Sequence, residues 1–474
     1  MLTTEDKPRE NCGIIGICGH PEAAELAYLG LHALQHRGQE SSGIVTSDQE
    51  RVFRHIGTGL VSEIFSDPET LSHLKGHIAV GHNRYSTTGS SNLVNSQPIL
   101  VNSKSGPLAI AHNGNLVNYK TLRSQLEHAG SIFQTTNDSE VILHLAARSK
   151  SEDIEQQLLE ALRTVHGAYS LVFLTRNKLI AARDPHGVRP LAVGRLGGAV
   201  IVASETCAFD LIAAEYLRDV EPGEMVSFDE TGEKSFRISD PVRASHCIFE
   251  YVYFSRPDSQ IFGEYVDKAR RKLGKLLAMH HSVDADIVIS VPDSSNTAAI
   301  GYSRRSGMKF DIGLIRNHYV GRTFIEPSQK TRDFNVRLKF NDVGGVLKGR
   351  RVVLVDDSIV RGTTIKHLVR MIRKAGAKEV HVRVASSPIR HPCYYGMDFP
   401  SHDELIANKM EIEDIRQYLG VDSLEYLSLD EMLAAVPDGN RGYCTACFDG
   451  NYPIPVHEKV QKLAVESDIP IQEF

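Results

Sequence analysis

Arg351-Val-Val-Leu-Val-Asp-Asp-Ser-Ile-Val-Arg-Gly-Thr-Thr364 decides the architecture of the second half of the chain. Its unbroken aliphatic run reads as a strand buried on both faces, which belongs in a parallel sheet covered by helices. The strand carries Asp356 and Asp357 to its carboxyl end, where ligands of such sheets bind. Ser358, Ile359, Val360, Arg361, Gly362, Thr363 and Thr364 then form a small-residue loop that opens a helix expected from near Ile365. Backbone N–H groups at a helix start, with Ser and Thr hydroxyls and a Gly, suit a phosphate monoester. Two adjacent carboxylates can accept hydrogen bonds from vicinal hydroxyls or help hold Mg²⁺. Phosphate, diol and metal together describe a ribose 5-phosphate.

Working outward, Ala285–Val291 and Val380–Ala385 are further apolar runs, and helical patterns alternate with them. Asp403 to Val436 reads as helical and polar. Before residue 240 the texture differs. Short runs at Ile78–Gly81, Leu108–His112, Ser170–Leu174, Leu179–Ala182 and Ala199–Ala203 alternate with Gly turns. Helical stretches are expected at Ala23–Gln35, Ser139–Ala147 and Ile154–Val165. This is a mixed α/β domain with mostly antiparallel strands, and the boundary falls at roughly 235–245.

The Arg351–Thr364 stretch resembles the phosphoribosylpyrophosphate (PRPP) motif of type I phosphoribosyltransferases. The resemblance implies that Asp356 and Asp357 contact the ribose hydroxyls and Mg²⁺, and that Ser358–Thr364 cradle the 5-phosphate. Val291-Pro-Asp-Ser-Ser-Asn-Thr297 sits where such enzymes bind pyrophosphate, with Ser294 a metal or pyrophosphate contact. The segment from Gly321 to Lys339 looks like their lid. It lies in a basic region: Gly301 to Arg351 holds 12 Lys and Arg against 4 Asp and Glu. Arg322, Arg332, Arg337 and Lys339 thus have an electrostatic reason to face pyrophosphate, a highly charged leaving group.

A second set of motifs lies near the start. Cys12 in Asn-Cys-Gly-Ile-Ile-Gly-Ile, Gly81-His-Asn-Arg-Tyr-Ser-Thr-Thr88, Ala111-His-Asn-Gly-Asn115 and Thr136-Asn-Asp-Ser139 together resemble the glutaminase domain of N-terminal-nucleophile amidotransferases. By that resemblance residues 1–11 are a propeptide, Cys12 is the nucleophile, Asn113 and Gly114 form the oxyanion hole, and Arg84 and Asp138 hold the α-carboxylate and α-ammonium of glutamine. Cleavage before Cys12 would free an α-amine with a reference pKa of about 7.7–8, able to act as base for its own thiol.

The two sets join in one chain, together with Gln35–Gly43, Arg183–Pro190, Phe249–Phe254 and Arg256–Ser259. The combination resembles the glutamine PRPP amidotransferase family, in its iron–sulfur-containing, propeptide-bearing branch. The implied architecture is an αββα glutaminase sandwich, residues 12–240, followed by a type I phosphoribosyltransferase domain, residues 241–474, with a helical, Cys-rich end. The implied activity makes 5-phosphoribosylamine, glutamate and pyrophosphate from PRPP, glutamine and water, opening de novo purine synthesis. Inhibition by AMP, GMP, ADP and GDP and a homotetramer are implied as well. Small departures from the family pattern are Ser295 for Gly, Ser255 for Ala and Phe340 for Leu.

Cys444-Thr-Ala-Cys447 with Cys247 and Cys393 could supply four thiolates. Four thiolates suit zinc or a 4Fe-4S cluster, and composition does not choose between them. Their sequence contexts resemble the branch with a structural 4Fe-4S cluster. Cys18 and Cys207 read as core packing.

The bulk properties are consistent with this reading. The chain has 474 residues, formal charge -6, 41% hydrophobic and 24% charged residues. No apolar run reaches the 18 or so residues of a membrane span. The slight acidity argues against a nucleic-acid binder. Seven Cys in so long a chain suggest catalytic or metal-bound thiols and a cytoplasmic location rather than disulfides. Two rivals are a PRPP-sensing regulator, which would have no use for the Cys12 set, and a glutaminase aminating a sugar phosphate, which would lack the acidic pair.

Overall fold

Short apolar strands bounded by glycine turns pair antiparallel throughout the first half of the chain. The computed structural model describes residues 12–85, 92–317, 339–397, 401–439 and 442–456. Among these, one seven-stranded sheet runs in the order Glu215–Asp219, Ala192–Leu196, Ala199–Ala203, Gly13–Cys18, Ile78–Arg84, Ser41–Ser47, Val52–Thr58. A six-stranded sheet runs Gly232–Arg237, Glu224–Asp229, Leu179–Arg183, Gly167–Leu174, Gly106–Leu116, Ile99–Ser103. The two stack through Ile14, Val45 and Val80 of the first and Ala109, Val172 and Ala181 of the second. Helices Ala23–Ala33 and Cys207–Ile212 cover the outer face of the first sheet. Helices Tyr119–His128, Glu140–Arg148 and Ile154–Thr164 cover the second. The result is an αββα sandwich.

The second half builds a five-stranded parallel sheet in the order Lys309–Phe310, Ile287–Ser290, Arg351–Asp356, Glu379–Val384, Ser423–Tyr426. In chain order this is 2-1-3-4-5, so the strand order reverses between Ile287–Ser290 and Arg351–Asp356. That junction is the switch point at which open parallel sheets bind ligands. Helix Thr363–Lys374 packs back on the sheet through Ile365, Leu368, Val369 and Ile372, spaced one face apart.

Strand Ser423–Tyr426 is the correction to the helical reading of Asp403 to Val436, which otherwise holds several short helices. Leu424 and Tyr426 are buried and Glu425 is exposed. An edge strand needs only this alternation, and four residues of it resemble a helix turn. The phosphate-loop helix starts at Thr363 rather than near Ile365, after Gly362 at φ +78.

Four motifs that the sequence offered without a role meet between the two halves. Arg37 is fully buried and forms a forked pair with Glu250, at 2.8 and 3.0 Å. It also bonds Glu205, and its Nε donates to the Cys12 carbonyl at 3.2 Å. Glu250 further accepts from Arg189 at 3.3 Å and Ser255 at 2.7 Å. Glu205 accepts from His36 at 2.8 Å, Ser259 at 2.6 Å and the Arg256 N–H at 2.8 Å. Burial pushes the Glu205 and Glu250 carboxyls up, but the cations around them outweigh it and keep both ionised.

Candidate active sites

Antiparallel register sets Gly13 opposite Asn83, which brings Cys12 beside Arg84 at the end of strand Ile78–Arg84. Cys12 is buried, and its thiol donates to the Tyr85 carbonyl at 3.4 Å. Burial pushes this thiol up to about 11; Tyr85 and the Arg84 guanidinium pull it down, and Glu40 and Asp138 push it up again. Arg84 and Asp138 are thus both within electrostatic reach of the nucleophile, and both are buried.

Asp138 accepts from the Leu116 N–H at 2.9 Å and from Ser139 at 3.3 Å, with His112 at 3.6 Å. Burial raises its carboxyl, but the charge and hydrogen bond of His112 and these donors outweigh that, leaving it below the usual carboxylate range. Asn113 lies one residue from His112 on the long strand Gly106–Leu116 and is fully buried. Neither its amide nitrogen nor its amide oxygen has a hydrogen-bond partner among the described residues. A buried amide left unpaired is costly unless a ligand completes it. Gly114 follows at φ +149, and a Cβ there would sit 2.0 Å from the Ala168 carbonyl oxygen. Ser86–Ser91, which includes the end of the Arg84 motif, lies outside the described residues, as does Met1–Asn11.

Behind these groups the His82 ring donates to the His112 carbonyl, 3.1 Å away. Burial, with the charges of Arg84 and His112, drops His82 from 6.5 to about 3. The fold holds it neutral, so its contribution is complete above pH 6.5 and is lost as pH falls toward 3. At about 1.4 kcal/mol per unit, the loss between pH 6.5 and 5 is about 2 kcal/mol. Urea titrations should show this slope, and His82→Gln should flatten it; an equal slope in both proteins would remove His82 as the cause.

At the switch point of the second domain, Ser290 pairs with Val355, so the two loops leave their strands side by side. Ser294 donates to Asp357, and Ser295 bridges Asp356 and Asp357 at 3.1 Å each. Ser358 donates to Asp357 at 2.7 Å. The acidic pair and Ser294 therefore converge as expected. Ser295, noted in the sequence only as a departure, is the residue that ties both carboxylates to the neighbouring loop. Thr363 and Thr364 form the first turn of the helix, and Gly362 supplies the left-handed φ before it. Ile359 and Val360 are buried, and the Val360 carbonyl accepts from the Ile406 N–H at 2.9 Å. The Arg361 guanidinium pairs with Glu404 at 2.6 Å. Lys339 precedes the short strand Phe340–Asp342; Arg322, Arg332, Arg337 and the rest of the expected lid to residue 338 lie outside the described residues.

The four cysteines also come together. Parallel pairing of His246–Cys247 with Tyr443–Cys444 sets Cys247 directly opposite Cys444. The Cys447 carbonyl accepts from the N–H groups of Arg390 and His391, which draws in Cys393. Cys247, Cys393, Cys444 and Cys447 line one cavity with Arg189 and Tyr395, and no disulfide joins them. Among the described residues no three donor side chains are grouped to grip a single ion.

Known proteins resemble this chain over nearly its whole length. Residues 82–210 match the family described as a glutamine amidotransferase domain. Amidophosphoribosyltransferase 1 of Arabidopsis thaliana, a chloroplastic protein, is 53% identical over 97% of this chain and 81% of its own. The Bacillus subtilis amidophosphoribosyltransferase is 51% identical over 97% of each chain. The solved structure of the B. subtilis glutamine PRPP amidotransferase with ADP and GMP superposes with a TM-score of 0.91, at 50% identity over 96% of this chain and 100% of that one. An antiparallel glutaminase sandwich fused to a phosphoribosyltransferase sheet defines a class, the glutamine-dependent transferases that aminate a phosphoribosyl group. The chain belongs to the amidophosphoribosyltransferase family. Its function is glutamine-dependent amidophosphoribosyl transfer, the step that opens de novo purine synthesis. Among the described residues no helix is long and apolar enough to cross a membrane.

Proposed function

We propose that residues 12–240 and 241–474 divide the reaction between them as follows. Removal of Met1–Asn11 gives Cys12 a free α-amine, which takes the thiol proton. The thiolate attacks the carboxamide carbon of glutamine; the Asn113 amide and the Gly114 N–H receive the oxyanion. Ammonia leaves, water cleaves the thioester, and glutamate departs. Arg84 and Asp138 hold the α-carboxylate and α-ammonium. In the second domain Asp356 and Asp357 take the ribose hydroxyls, Ser358–Thr364 cradle the 5-phosphate, and Ser294 lies toward pyrophosphate. Arg322 and Lys339 act from the lid. Ammonia displaces pyrophosphate from C1 of PRPP to give 5-phosphoribosylamine.

The observation that carries this reading is the Asn113 amide, buried and unpaired on the strand that also positions Asp138. It is tested by following glutamate and pyrophosphate together in anaerobically purified protein, with and without Mg-PRPP. They should rise one to one, with PRPP stimulating hydrolysis. Glutamate without pyrophosphate would overturn the assigned acceptor.

Asp356, Asp357 and Ser294 offer carboxylate and hydroxyl oxygens, the donors Mg²⁺ takes, and the ion would offset the charge of pyrophosphate. Cys247, Cys393, Cys444 and Cys447 would hold one 4Fe-4S cluster per chain. In support, the four thiols line one cavity, no disulfide joins them, and the Arg189 guanidinium balances thiolate charge. Iron and sulfide assays should give four of each per chain. ADP and GMP, present in the B. subtilis complex, point to AMP, GMP, ADP and GDP as inhibitors here. A cytoplasmic homotetramer completes the proposal, and its mass can be read by sedimentation.

A further inference from the structure

We infer that the turn Cys393–Gly396 of the second domain is a positioning element for the oxyanion site of the first. The inference rests on the role proposed for Asn113 and Gly114. Gly396 lies directly against Gly114: a Cβ at residue 396 would stand 2.8 Å from the Gly114 carbonyl carbon and 3.0 Å from its Cα and its oxygen. Gly396 has φ +104, so two independent constraints call for glycine. On its other side Gly114 meets the Ala168 carbonyl. The glycine peptide is therefore clamped between its own sheet and the other domain.

The turn is itself held firmly. The Tyr394 carbonyl accepts from the side chain of Asn115 at 2.9 Å, the residue next to Gly114. The Tyr395 carbonyl accepts from Arg189 at 2.7 and 3.1 Å. The Tyr395 hydroxyl donates to the Ile454 carbonyl at 2.6 Å. Oxyanion donors act only when aimed in advance, and a single lost donor costs on the order of 10²–10³ in kcat. A wall that fixes the Gly114 peptide is thus a rate determinant, although it touches neither glutamine nor the thiol.

Gly396→Ala should lower kcat for glutamine hydrolysis by roughly 10- to 100-fold, leave the KM for glutamine within about twofold, and spare ammonia-dependent synthesis. Asn115→Ala, which removes the Tyr394 bond without adding a side chain, should do the same more mildly. Intact ammonia-dependent activity and unchanged visible absorbance would show that the fold and the cysteine site survive. If Gly396→Ala does not fold, Asn115→Ala decides. Asn113→Ala is measured alongside. If it leaves hydrolysis unchanged, the oxyanion assignment itself falls. If it lowers hydrolysis while the folded Gly396 and Asn115 variants do not, the positioning role alone is overturned. Equal losses with glutamine and ammonia in the latter two would overturn it as well.

Discussion

Cys12→Ser is expected to abolish glutamine-dependent synthesis, by at least ~10³-fold, while synthesis from added ammonia persists. The hydroxyl is a far weaker nucleophile than the thiolate. The two sites occupy different sheets, so a single-atom change at Cys12 leaves the Asp356 and Asp357 loop unaltered. The split is read by assaying phosphoribosylamine with each nitrogen source. Parallel loss with both sources would mean that Cys12 is structural. The thiol of the unprocessed chain is pushed up to about 11, so an alkylating probe should label the processed chain faster than the intact one near neutral pH.

Glu250→Ala should be strongly destabilising, by about 3–5 kcal/mol, because it removes the buried carboxylate shared by Arg37 and Arg189 and leaves Arg37 with Glu205 alone. The midpoint of urea unfolding measures it. Glutaminase activity should fall with it even in the folded fraction, since Arg37 also holds the Cys12 carbonyl. Glu250→Gln keeps the shape and loses the charge, and should fall between the two. A midpoint unchanged in Glu250→Ala would mean that water or another anion compensates the arginines.

Much of this was legible in the sequence. Ala199–Ala203 is a strand with the bounds its composition suggested, and Asp356 and Asp357 stand where an apolar run ends. Such features are local: a β-branched run, a glycine, a helix-start loop. That Cys12 lies near Arg84 and Asp138 was legible only through family resemblance, because it depends on strand register between distant segments. What escaped was of two kinds. Ser423–Tyr426 is too short and too alternating to declare itself as a strand. The roles of Arg37, Glu205 and Glu250 follow from contacts spanning 168 and 213 positions, which no spacing rule reports. Ser295 is instructive in the same way. Its hydroxyl reads as a lost glycine in one dimension and as a bridge between two carboxylates in three.

The pairing of Cys247 with Cys444 also sets an order of events during synthesis. About two hundred residues separate the partners, and ribosomes add roughly 5–20 residues per second. The strand beginning at His246 therefore waits some 10–40 s for its neighbour. The sandwich before it can close in that interval. The thiol pocket cannot, since its last wall emerges near the end of translation. The pocket can be filled only after Cys447 has emerged, and a chain stalled before Tyr443 would present a sandwich whose thiol pocket still lacks one wall.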